Sequence, residues 1–95
     1  MLDSDHRGAT ACVAIVRREG NHNVLYVANT GDTRAVLSKN GNAERLSKDH
    51  KASDQQEIDR IRAAGGKIMD GRVAGGLAIT RALGDIAYKS FGVSC

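Results

Sequence analysis

Residues 24–41 read VLYVANTGDTRAVLSKNG. Two hydrophobic runs flank Gly31-Asp32-Thr33-Arg34, in which an acid and a base sit two apart. Val24, Tyr26 and Val27 are β-branched or aromatic, which suits a pleated strand better than a helix, so residues 24–29 are predicted as one strand. Residues 33–39 are predicted as the next. Asn40-Gly41 then supplies the dipeptide of a two-residue hairpin turn, and residues 43–46 return as a short fourth strand. Upstream, residues 8–16, GATACVAIV, are apolar on both alternating faces, the pattern of a strand covered on both sides. EGNHN at 19–23 is a loop of turn formers. Strands joined by such short turns predict an antiparallel meander. The Gly31–Arg34 word itself reads in two ways: a local turn with its own charge pair, or a turn that offers a carboxylate to something else.

Past residue 50 the period changes. Ser53, with Gln56 three residues on, predicts a capping box. Asp54 and Glu57 put negative charge at the positive end of the helix. Ile58 and Ile61 share a face, Arg60 and Arg62 come late where cations help, and Gly65-Gly66 forms the usual left-handed stop. The spacing predicts a helix over 53–64. Asp70-Gly71 between residues 67–69 and 72–73 predicts a small hairpin. Residues 77–83, LAITRAL, fit strand or helix by pattern, Gly84-Asp85 stops them, and the tail to Cys95 has no clear period.

The 95 residues and 41% hydrophobic content indicate one domain. There is no Trp and no Pro, and there are 11 Gly, so Val, Ile, Leu and Ala build the core and glycines make the special turns. The net charge of +3 is mild, with no basic stripe and no stacking aromatics, so no nucleic-acid partner is expected. Cys12 and Cys95 lie far apart, and His6, His22 and His50 are scattered. A structural zinc site needs four clustered ligands, so none is expected. No long apolar span is present, so no membrane association is expected, and the cytoplasm or nucleus is the default location.

Read in order, the chain gives GATA, LYVANTGDTRAVL, LSKDHK, EIDRIRAAGG and RVAGGLAITRALGD. This series closely resembles the middle of the type-2C family of metal-dependent protein serine/threonine phosphatases. The resemblance runs from about Gly8 to Lys89 and implies an α+β fold: a partial antiparallel β-sandwich, one well-capped helix and a flap hairpin. Residues 1–95 would be a single partial phosphatase-like domain, with strands at 8–46, helix and flap at 53–76 and a return segment at 77–89. The family removes phosphate from phosphoserine and phosphothreonine proteins with two Mg²⁺ or Mn²⁺ ions that activate water, without a phosphoenzyme.

The family's metal centre also depends on an upstream Asp-Gly-His-Gly-Gly word, a downstream Asp-Gly word and a late Asp-Asn word. None is here, and the upstream phosphate-gripping arginine is missing too. Asp70-Gly71 falls in the flap, so the metal role is not carried onto Asp70, and no catalytic residue is assigned. What the resemblance carries over is narrow. Asp32 matches a residue that helps hold an accessory metal. Arg72 and Gly75 match the flap word near which substrates and partners dock. Asp49, His50 and Asp85 match motif positions for which structural roles are expected. With the other ligands absent, Asp32 is expected to form a turn and pair with Arg34. The chain therefore reads as a phosphatase fragment with little or no activity alone. The alternative is a non-catalytic binding module that uses the flap face. A third reading is a minimal active enzyme with a rearranged metal site, completed by a second chain; Asp32, Asp70 and Asp85 are its candidate carboxylates, and closeness of Asp32 to Asp85 would favour it. Unpaired sheet edges predict a homodimer.

Overall fold

The computed structural model describes residues 7–95; the expected domain of 1–95 begins at residues 1–6, which lie outside the described residues. The described elements run β1 (Gly8–Ala9), β2 (Ala11–Glu19), β3 (His22–Thr30), β4 (Val36–Lys39), β5 (Asn42–Arg45), α1 (Gln55–Ala63), β6 (Ile68–Met69), β7 (Arg72–Val73), β8 (Leu83–Gly84) and α2 (Ile86–Lys89). The strand pairs are antiparallel. The α+β, antiparallel architecture is the one the sequence implies. Its strands pair as four two-stranded sheets, β1–β8, β2–β3, β4–β5 and β6–β7. β3 and β4 do not pair, so the expected meander is broken where the Gly31–Arg34 turn intervenes.

Both hairpin turns follow their dipeptides. Asn40 and Gly41 take φ of 51° and 78°, and Asp70 and Gly71 take 53° and 69°. Two successive positive φ values are what a two-residue turn needs to match the twist of its strands.

The predicted helix forms with a different cap. Asp54, not Ser53, is the N-cap, and its side chain accepts from the Gln56 N–H at 3.3 Å. The predicted Ser53–Gln56 box does not form; Gln56 Oε1 instead accepts from Lys48 Nζ at 2.7 Å, and Lys48 Nζ also lies 2.8 Å from Asp54 Oδ2. The C-terminus ends as expected. Gly65 donates to the Arg62 carbonyl at 3.0 Å and Gly66 to that of Ile61 at 2.9 Å, a Schellman pair that satisfies two terminal carbonyls. Residues 77–83 are extended, through bridges Val73–Leu77, Lys51–Ile79 and Arg81–Ser94. Short α2 follows in a tail where no period was evident.

The core lies under α1. Ala52, Ile61, Val73 and Val93 are buried together, with Ile68, Leu77 and Tyr88 packed against them. A buried carboxylate stands beside it. Glu57, 5% exposed, accepts from Thr80 Oγ1 at 2.7 Å and from Arg81 Nε at 2.9 Å and Nη2 at 3.1 Å. Arg60 adds weaker contacts at 3.3 and 3.4 Å, and extends to the carbonyls of Gly92 (2.8 Å) and Thr80 (3.0 Å). One charge thus ties α1 to the return segment and the tail.

The β2–β3 hairpin is different. Val13, Ile15 and Val16 are 52%, 57% and 70% exposed, so β2 is not covered on both sides as its apolar run suggested. Among the described residues it has one neighbour, β3, and no second layer over these side chains. A groove of about 340 Å³ lined by Leu25, Val27, Leu37, Lys39, Glu44 and Leu46 separates this hairpin from β4–β5. No described helix is long and apolar enough to cross a membrane.

Two expectations follow for stability. Burial opposes ionisation of Glu57, but the hydrogen bonds from Arg81, Thr80 and Arg60 prevail and lower its pKa from 4.5 to about 2. Since the folded value is the lower one, the ionised carboxylate stabilises the fold fully above about pH 4.5. That contribution is lost as the pH falls through about 2. Acid unfolding followed by circular dichroism will show it, and Glu57→Gln will remove that part of the dependence. Ile61→Ala, at a fully buried position, will cost roughly 2–5 kcal/mol by urea denaturation.

Candidate functional site

The Gly31–Arg34 turn leaves β3 and is held from two sides. Gly31 is buried and has φ of 107°. A Cβ there would lie on the Thr10 side chain, with the Arg81 carbonyl 3.2 Å away, so only glycine fits. Gly31 N–H donates to His50 Nδ1 at 3.0 Å, and His50 N–H donates back to the Gly31 carbonyl at 2.8 Å. Asn29 Nδ2 donates to the Gly31 and Lys48 carbonyls at 3.2 and 2.9 Å. Thr10 and Thr33 hydroxyls meet at 2.5 Å.

The expected Asp32–Arg34 pair does not form. Arg34 turns to Asp49, with Nε 3.2 Å from Oδ1 and Nη2 2.6 Å from Oδ2. This forked geometry suits a guanidinium and a carboxylate better than a neighbour two residues away could. Asp49 also accepts from Arg45 and lies 3.6 Å from Lys51 Nζ. The hydrogen bond from Arg34, helped by both arginine charges, holds its carboxyl well below the usual carboxylate range. Asp49 and His50 thus have the structural roles expected of them. The sequence shows them as adjacent residues ahead of a helix, and nothing local says that one collects three cations and the other receives a distant amide.

Asp32 itself is exposed. Asp70 sits at positive φ in the flap turn. Asp85 is buried at φ 48°, with its carboxylate against Gly8. No group of three or more His, Cys, Asp or Glu residues able to hold a metal occurs among the described residues. Mg²⁺ sheds water reluctantly and needs several oxygen ligands. Asp32 as the sole carboxylate of its turn therefore does not fit that ion by itself.

The flap hairpin β6–β7 stands on the core through Val73, which is fully buried and bonded to Leu77. Arg72 and Gly75 are both exposed. Arg72 Nη1 donates to the Gly76 carbonyl at 2.9 Å, which closes the loop after the flap. Gly75 has φ of 75°, with Met69 beside it. At Gly76 a side chain would run into the Tyr88 hydroxyl, so the flap base and α2 pack without a gap.

The Protein phosphatase 2C family model matches residues 1–95. Protein phosphatase ppm-1.G of Caenorhabditis elegans is 58% identical over 88 residues, covering 93% of this chain and 17% of that protein. Probable protein phosphatase 2C 3 of Paramecium tetraurelia is 48% identical over 88 residues, covering 93% of this chain and 28% of that protein. The chain therefore spans less than a third of the length of either relative. Among solved structures, a phosphatase from a pathogenic strain of Toxoplasma gondii superposes with a TM-score of 0.60 at 29% identity, covering 87% of this chain and 37% of that one. The chain belongs to the protein phosphatase 2C family.

The geometry separates two aspartates that look alike in sequence. Asp32→Ala will leave the melting temperature within about 2–4 °C, as for a surface change away from any partner. Asp49→Ala will lower it clearly, because Arg34 and Arg45 lose their shared carboxylate. Equal effects in a thermal melt would contradict this assignment.

Proposed function

We propose that this chain is a central segment of a metal-dependent protein serine/threonine phosphatase and has no hydrolytic activity alone. The reading is carried by the family match across residues 1–95, set against the small share of each relative that the chain spans. The parent protein would act on phosphoserine and phosphothreonine proteins and require Mg²⁺ or Mn²⁺, ions whose general contribution is to neutralise phosphate charge and lower the pKa of bound water. In this proposal Asp32 is at most an accessory ligand, completed by residues from outside the chain.

Arg72 and Gly75 form the proposed docking face. Arg72 is exposed and held by one hydrogen bond to the Gly76 carbonyl, which leaves its other N–H groups for an incoming acceptor. The same exposure favours a second reading, a non-catalytic module that captures partners with the flap. The apolar residues exposed on β2 and β3 and the open outer edges of that hairpin support self-association as a homodimer. The location proposed is the cytoplasm or nucleus.

The test is hydrolysis of p-nitrophenyl phosphate with Mn²⁺ or Mg²⁺, by wild type and Asp32→Ala, over a range of protein concentration. No turnover above the protein-free control is expected from either. Metal-dependent turnover lost in Asp32→Ala would overturn the inactive-segment reading. Sedimentation on the same samples is expected to show a dimer, and a monomer at every concentration would contradict self-association.

A further inference from the structure

Among the contacts that hold the turn carrying Asp32 and Arg34, one depends on an imidazole. A backbone N–H can only donate, so the 3.0 Å contact from Gly31 N–H requires a lone pair on His50 Nδ1. The ring is therefore neutral, with its proton on Nε2. A proton on Nδ1 would set two donors against each other. Gly31 is buried, and a buried amide that loses its acceptor is costly to leave unpaired.

The groups around the ring favour the neutral state. Arg81 of the return segment, Arg60 of α1 and Lys48 of the ring's own loop oppose a positive charge, and burial acts in the same direction. Glu57 of α1 acts the other way, but its carboxylate is already engaged by Arg81, Thr80 and Arg60. Neighbouring Asp49 is likewise committed to Arg34, Arg45 and Lys51. The backbone of His50 is fixed from the far side, its carbonyl accepting from Thr80 N–H at 3.0 Å. Ring protonation therefore acts on the Gly31 contact and not on the placement of the loop.

We propose that His50 and Gly31 form a proton-operated latch: the neutral ring holds the Gly31–Arg34 turn in place, and protonation below neutral pH releases it. The release is local. Asn29 and the His50 N–H still hold the Gly31 carbonyl, Thr10 still meets Thr33 and Arg34 still forks onto Asp49, so what is freed is the Gly31 amide and the turn loosens at that point. The latch belongs to the chain's own turn and does not depend on the phosphatase reading.

Amide hydrogen exchange on the ¹⁵N-labelled chain tests it, between about pH 7.5 and 4.5, a range that reaches below the usual histidine titration because burial and the facing cations lower the pKa of His50. After correction for intrinsic rates, Gly31 protection is expected to fall by roughly 2- to 12-fold, the loss of about one hydrogen bond. The Gly66 amide, bonded to Ile61, is expected to keep its protection. In His50→Asn the amide oxygen takes the place of Nδ1 and does not titrate, so Gly31 protection should stay flat. Protection that is flat in wild type while His50 titrates, or that falls equally in His50→Asn, would overturn the latch. If His50→Asn does not fold, the wild-type ring ¹⁵N and Gly31 amide shifts decide: a common midpoint supports the latch, and separate midpoints refute it.

Discussion

The structure depends on a charge taken out of water. Glu57 is nearly fully buried, and a buried carboxylate is tolerated only when its lone pairs are filled and its charge is met. Thr80, Arg81 and Arg60 do both. Because Arg81 and Thr80 lie more than twenty residues from Glu57, meeting that charge folds the return segment back over α1. Arg60 then extends the constraint to Gly92.

Other parts are suspended from that junction. Thr80 N–H fixes the His50 carbonyl, and His50 in turn fixes Gly31. The turn that displays Asp32 is thus linked to Glu57 through two intermediates. The flap hangs from the same core by a separate route, through buried Val73 and its pairing with Leu77. Asp49 is a second acidic centre, at the surface, which gathers Arg34, Arg45 and Lys51. These two acids organise much of the positive charge of a chain whose net charge is +3. The β2–β3 hairpin joins these contacts only at its end, through Asn29 and Thr30, and Val13, Ile15 and Val16 along β2 stay exposed.

What was legible in the sequence was local. Asn40-Gly41 and Asp70-Gly71 fix two turns because few dipeptides tolerate two positive φ values. Gly65-Gly66 ends α1 for a similar reason. The period of Ile58 and Ile61 marks the helix, although the cap is Asp54 and not Ser53. What was not legible depends on partners far along the chain. Glu57 reads locally as an acid at a helix start, Arg34 as the mate of Asp32, and His50 as a motif residue whose partner the sequence does not name. Each of these side chains is claimed by a residue at least fifteen positions away, which no periodicity records. The apolar run of β2 was read correctly as a strand and incorrectly as a covered one, since its composition suits a second layer that the described residues do not supply.

A double-mutant cycle between Glu57 and Arg81 tests the central junction most directly. Glu57→Gln, Arg81→Met and the double variant would be compared with wild type by urea denaturation at neutral pH. The account predicts a coupling of about 1–3 kcal/mol, the range for residues that share a hydrogen-bonded ion pair. Additive effects within about 0.5 kcal/mol would contradict it, and would mean that the Glu57–Arg81 pair does not join α1 to the return segment.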